Sequence, residues 1–145
     1  MNLVIKNFEE LDRLELYEIL RARSQVFIVE EKMNCQDMDY VDFKSRHYFL
    51  LENGKVVSYM RAYYENENKD SVKIGRVLSV KRGQGLGRKL IESSYDDIKE
   101  YFSVSKIVLH SQKHAVGFYE KLGFKVISDE YLEEGVVHVT MELSL

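Results

Sequence analysis

Proline and tryptophan are missing from this 145-residue sequence, and cysteine occurs once, at Cys35. A single cysteine excludes an internal disulfide and a cysteine-rich zinc site, and it suits a reducing cytoplasm. Without proline, turns must rest on Gly, Asn and Asp. No apolar run approaches the ~18 residues of a membrane span, and no secretory signal is expected at the N-terminus. The net charge of −3 lacks the basic excess of a nucleic-acid binder. Linkers, repeats and low-complexity tracts are missing too. The 45% hydrophobic and 31% charged composition is that of a globular chain rather than a disordered one. One domain over residues 1–145 is the expected organisation.

Hydrophobic spacing outlines the elements. Leu3–Ile5 reads as a strand. Asn7 and Glu10 form a capping-box pattern, and Leu11, Leu14, Tyr17 and Leu20 predict a helix over Phe8–Arg21. A second short helix is expected over Arg23–Glu31, then a polar loop. Asn53-Gly54 predicts a type I′ hairpin between strands His47–Glu52 and Lys55–Tyr64. Val72–Val80 reads as a strand, with Gly75 hinting at a bulge or a close backbone approach. Gln84–Phe102 is the most regular amphipathic helix. The strand Ile107–Leu109, the helix Ala115–Leu122 and the strands Phe124–Ile127 and Val136–Leu143 come next. This order predicts an α/β (α+β) fold with a central mixed sheet and about four helices. Val136–Leu143 is a candidate edge strand for a homodimer.

The segment Arg82-Gly83-Gln84-Gly85-Leu86-Gly87 joins a strand to the long helix. The first N–H groups of a helix lack internal partners, and glycines let an anion approach the main chain. Residues 81–90 hold Lys81, Arg82, Arg88 and Lys89 and no acid. An anion, naturally a pyrophosphate, suits this loop. A dinucleotide fingerprint would need Gly where Arg88 stands, and the Gly-Lys-Ser/Thr of a Walker loop is absent.

The spacing Arg82-x-x-Gly85-x-Gly87 resembles motif A of the GNAT acyltransferase superfamily. Ala115, Phe118, Tyr119, Lys121, Gly123 and Phe124 resemble its motif B, with Gln112 where Asn is usual. Residues 16–47 and the run Gly135-Val136-Val137-His138-Val139-Thr140-Met141 are similar to the ElaA-like branch. The resemblance implies the GNAT acyl-CoA N-acyltransferase fold with acetyl-CoA as co-substrate and no metal. It implies cofactor contacts from Leu78, Ser79 and Val80, from Arg82, Gly83, Gln84, Gly85, Leu86, Gly87 and Arg88, and from Gln112, Ala115 and Phe118. The same resemblance implies for Tyr119 the catalytic role of protonating the departing thiolate, which a phenol neutral at pH 7 can do.

The acceptor side is less defined. Residues 28–42 carry Glu30, Glu31, Asp37, Asp39 and Asp42 against Lys32 alone. Such a loop would attract an ammonium group, though a solvated acidic face is the plainer reading. Arg23, Glu30, Asp37, Asp39 and His138 are the candidate acceptor-binding residues. His110 and His114 lack further ligands for a metal, Cys35 lacks an activating base, and no nucleophile elbow is present. The expected activity is acetyl transfer to the amine of a small molecule or peptide by direct attack in a ternary complex, with no nucleic acid or membrane as partner. The competing readings are a non-catalytic acyl-CoA-binding regulatory module, an aminoglycoside or polyamine specialist, and a nucleotide-binding α/β domain.

Overall fold

The computed structural model describes residues 1–145, which divide into two compact units. The first comprises residues 1–63 and 76–94. The second comprises residues 64–75 and 95–145.

The chain enters through β1 (Asn2–Asn7). A 3₁₀ turn over Phe8–Glu10 is closed by the Asn7–Glu10 box, in which the Asn7 N–H donates to Glu10 Oε1 at 2.8 Å. The expected Phe8–Arg21 helix breaks after this turn. Asp12 is extended and caps a separate helix, α1 (Arg13–Arg23). Its Oδ1 accepts the Glu15 N–H at 2.7 Å, while Glu15 Oε1 accepts the Asp12 N–H at 2.9 Å. Two successive boxes satisfy the orphan donors twice, so two short segments replace one long helix. The helix expected over Arg23–Glu31 is a π-helical continuation of α1 over Ser24–Glu30.

β2 (Arg46–Glu52) and β3 (Lys55–Tyr64) pair antiparallel around Asn53 and Gly54, whose φ values of 52° and 76° meet the demand of the predicted I′ turn. β1 pairs antiparallel with β2. The first unit's core joins Ile19, Ala22 and Val26 to Phe49, Val56, Tyr59 and Leu78. Fully burying one such aliphatic or aromatic side chain contributes about 1.5–3 kcal/mol. This core seats α1 on the sheet and carries the C-terminal part of β4 (Val72–Ser79). α2 (Leu86–Phe102) comes after the glycine segment.

In the second unit β5 (Lys106–Gln112) pairs parallel with β4 at Val72 and Lys73, and antiparallel with β8 (Val136–Ser144). α3 (Val116–Lys121) ends at Gly123, whose φ is 97°. β6 (Lys125–Val126) and β7 (Tyr131–Glu133) both pair with β8. β7 was not expected; Glu134 and Gly135, both at positive φ, make its hairpin. β8 is not the open edge strand expected from its sequence, because β5 lies on one side and β6 and β7 on the other. The strand order is β1-β2-β3-β4-β5-β8-β6, with β7 off this path on β8. The architecture is the expected mixed α/β sheet, with eight strands, but three α-helices replace the about four expected, because the Arg23–Glu31 segment continues α1 instead of forming a helix of its own.

Candidate active site

In the first unit, β4 leads directly into the glycine segment. The Val80 N–H donates to the Val57 carbonyl at 2.9 Å, so it is not a free donor. Ser58 Oγ donates to the Leu78 carbonyl at 2.9 Å and lies 3.4 Å from Ser79 Oγ. Gly83 and Gly85 have φ values of 74° and 67°, and a Cβ built on either would meet no atom within 4 Å. Glycine is needed there for the left-handed backbone, and the space over the loop is open. Residues 81–85 are exposed, as are Arg88 and Lys89, whereas Leu86 is buried under the first turn of α2. The Lys89 N–H donates to the Gly85 carbonyl at 3.0 Å, which starts the helix and leaves the earlier N–H groups without helical partners.

Three of the loop's cations already meet carboxylates. Arg82 lies 3.4 Å from Glu30, Lys81 pairs with Glu52, and Arg88 is 2.9 Å from Glu92. These pairs are exposed and individually weak, so a polyanion can displace them. Glu30 also accepts from Gln25 at 3.0 Å, and that bond, with Arg82, lowers its carboxyl pKa.

Asp37, Asp39 and Asp42 do not form a bare acidic surface. They meet three guanidiniums, Arg23, Arg61 and Arg76. Arg23 is fully buried; its Nε reaches Asp37 Oδ2 at 3.1 Å and its Nη1 reaches Asp42 Oδ1 at 2.7 Å. Arg61 grips Asp39 with two bonds of 2.7 and 2.8 Å and Asp42 at 3.0 Å. Its buried Nε has no hydrogen-bond partner. Arg76 donates to Asp37 at 2.9 Å and to Asp39 at 3.3 Å. Burial raises the Asp39 carboxyl pKa, but Arg61 and Arg76 outweigh it and hold the group at about 2. Asp42 is lowered too, because Arg23 and Arg61 overcome its burial. The charge of the acidic stretch points to Asp37 and Asp39 and the ElaA-like resemblance to Arg23, but neither points to Arg61 or Arg76, which lie 22 and 39 residues from the carboxylates they hold.

In the second unit, β5 ends at Gln112, whose Oε1 accepts from His114 Nε2 at 2.8 Å. Ala115 ends the short turn before α3, and Phe118 and Tyr119 lie on α3. Tyr119 is half-buried between Phe118 and Phe124, with ring centroids 5.1 and 5.8 Å away. No protein group hydrogen-bonds its hydroxyl. Burial pushes the phenol pKa above its ordinary value, so the group is protonated at neutral pH.

A family model described as "Acetyltransferase (GNAT) domain" matches residues 18–145. The chain belongs to the GNAT acetyltransferase family. A Schizosaccharomyces pombe protein of the UPF0039 group is 42% identical, covering 100% of this chain and 98% of that protein. Protein ElaA of Escherichia coli is 30% identical over 91% of this chain and 89% of its own, which places the GNAT chain in the ElaA-like branch. The ElaA crystal structure superposes with a TM-score of 0.90 at 28% identity, over 99% of each chain. An acyl-CoA N-acyltransferase from Pseudomonas aeruginosa gives the same TM-score and identity, over 99% of this chain and 100% of its own.

His138 of this acetyltransferase lies on β8 and is buried. Its Nδ1 is 2.8 Å from the Val136 carbonyl, which can only accept, so Nδ1 carries the proton. Nε2 lies 3.6 Å from Glu133 Oε2. Glu133 also meets His110 Nδ1 at 2.8 Å, and the Tyr131 ring stacks on His138 with centroids 6.3 Å apart. Glu133 lies on β7, a strand that hydrophobic spacing does not reveal. No group of three or more His, Cys, Asp or Glu side chains could hold a metal ion, and no helix is long and apolar enough to cross a membrane.

Proposed function

We propose that this GNAT-family acetyltransferase, acting as one domain over residues 1–145, moves an acetyl group from acetyl-CoA to the amine of a small molecule or peptide by direct attack in a ternary complex. The observation that carries the reading is the glycine segment. The two left-handed glycines, the open space above them and the exposed start of α2 suit a pyrophosphate pressed against the main chain. Arg82 and Arg88 add charge at the same place. Leu78 and Ser79 offer main-chain groups to the acyl-pantetheine arm, with Gln112, Ala115 and Phe118 as further contacts.

Bound acetyl-CoA supplies an acyl carbon that an amine attacks, with the C–S bond breaking as the C–N bond forms. Tyr119 holds the proton that the departing sulfur needs, on a phenol raised above its usual pKa and free of a competing partner. The amine must also lose a proton. Asp39, held at about 2, is a feeble base, and Asp37 is tied to Arg23 and Arg76. His138 is better placed, since its Nδ1–H is fixed on a carbonyl and Nε2 is left as the ring atom that exchanges a proton. Glu30 and Glu31 are the exposed carboxylates of the acidic stretch, and Glu30, beside the glycine segment's Arg82, is suited to attract a cationic acceptor. Arg23, Asp37 and Asp39 serve it by fixing the loop.

A thiol-release assay with acetyl-CoA against amines, amino acids and peptides tests this reading. Acceptor-dependent release of coenzyme A is the expected result. Tight coenzyme A binding without release for any acceptor would favour a regulatory binding module instead.

A further inference from the structure

Seven residues other than glycine have a positive φ, and six of them sit in turns or loops. The exception is Arg76, with φ 53°, inside β4. A left-handed L-residue is costly, and a strand offers no turn to justify it. Gly75 stands beside it and would adopt that backbone readily, yet its own φ is not positive. Something other than backbone preference therefore holds the kink at Arg76.

The side chain supplies it. Arg76 Nε donates to Asp37 Oδ1 at 2.9 Å, and its Nη2 donates to the Asp37 carbonyl at 3.0 Å and to Asp39 Oδ2 at 3.3 Å. Both carboxylates are fixed in turn. The fully buried Arg23 holds Asp37 through Oδ2 and the same carbonyl, and Arg61 holds Asp39 through two bonds. The anchor is preorganised, so gripping it costs Arg76 only its own side-chain freedom. The kink also stands at a decisive place. Pairing of β4 with β5 involves only Val72 and Lys73, and the kink comes three residues later, just before Leu78. An irregular residue in a strand bends it and re-aims the residues beyond the bend.

We propose that Arg76 is a positioning residue for cofactor binding: clamped by Asp37 and Asp39, it holds the left-handed kink that aims the main chain of Leu78–Val80 and the glycine segment beyond. This rests on the proposed cofactor role of that strand. It gives the acidic loop a task of its own, that of an anchor for β4.

The test compares Arg76→Gly, Arg76→Asn, Arg76→Ala and Arg76→Lys by calorimetric coenzyme A binding, by KM for acetyl-CoA against kcat, and by thermal unfolding. Glycine, and to a lesser degree asparagine, adopt the left-handed backbone without a clamp. Arg76→Gly is therefore expected to bind within about threefold of wild type and Arg76→Ala about tenfold more weakly, with Arg76→Asn between them. Arg76→Lys keeps the charge but not the fork, and it should rank below Arg76→Gly. The loss should fall on KM for acetyl-CoA more than on kcat. Equal binding by all four variants, or Lys ranking above Gly, would overturn the proposal, the latter by showing that the charge meets the cofactor directly. Should Arg76→Ala not fold, the order of Gly, Asn and Lys decides alone. Wild-type protein that binds no coenzyme A would sink the cofactor reading and this proposal together, whereas wild-type binding with an unaffected Arg76→Ala sinks only this one.

Discussion

The Arg82 guanidinium lies 3.4 Å from the Glu30 carboxylate, and this contact joins the basic glycine segment to the acidic stretch of residues 28–42. Both groups are exposed, so the pair is screened by salt and breaks readily. A pyrophosphate on the glycine segment would compete with Glu30 for Arg82. Glu30→Gln should therefore tighten coenzyme A binding by about two- to fivefold at low ionic strength, and the gain should vanish at high salt. Calorimetry at two salt concentrations reads this directly.

Tyr119→Phe removes only a hydroxyl that no protein group binds, so it should not disturb packing between Phe118 and Phe124. Loss of a positioned acid costs about 100-fold or more in turnover. The expected outcome is a lower kcat with an unchanged coenzyme A affinity. A turnover number equal to wild type across the pH range would remove Tyr119 from the chemistry.

Acid should destabilise the first unit in two steps. His47 Nε2 lies 3.0 Å from the Asp42 carbonyl and must donate to it, so Nδ1 accepts the Tyr59 hydroxyl at 2.7 Å. The ring is satisfied while neutral, and burial lowers its pKa below 6.5. A group depressed in the folded state contributes its stability above its unfolded value and loses it as pH falls toward the folded one. The first loss thus begins below 6.5. The second belongs to the arginine-held carboxylates Asp39 and Asp42, and for Asp39 it runs from its ordinary value of 3.8 down to about 2. Urea midpoints should fall as pH drops below 6.5, and His47→Gln, though less stable at neutral pH, should flatten that first slope.

Gly123 closes α3 at φ 97°, and a Cβ there would lie 3.2 Å from Leu143 Cδ1. Gly123→Ala should cost about 1–2 kcal/mol, or a few degrees in Tm, through the left-handed backbone and that contact. Differential scanning calorimetry checks it. The flexible Leu143 end can yield, so a loss well above this range would point to displacement of the turn that ends Tyr119's helix.

The sequence by itself determined what depends on neighbours in the chain. Asn53-Gly54 dictated a turn because both residues tolerate positive φ. The glycines around Gln84 marked the start of α2, and the Tyr119-to-Phe124 spacing marked a helix that stops at Gly123. The family resemblance rode on those same local patterns. Not every local signal is plain from spacing alone: the Asp12–Glu15 box that splits the first helix, and the Glu134-Gly135 turn that makes β7, were both present in the chain.

Only the tertiary structure decided the rest. The acidic stretch reads as a field for a cation until Arg23, Arg61 and Arg76 are seen on its carboxylates. Those pairings span 14 to 39 residues, and no periodicity encodes them. Likewise Gly75 is the residue that composition marks for a distortion in β4, yet the kink falls on Arg76. Backbone preference is local, but the carboxylates that hold Arg76 in its left-handed conformation arrive from another part of the chain.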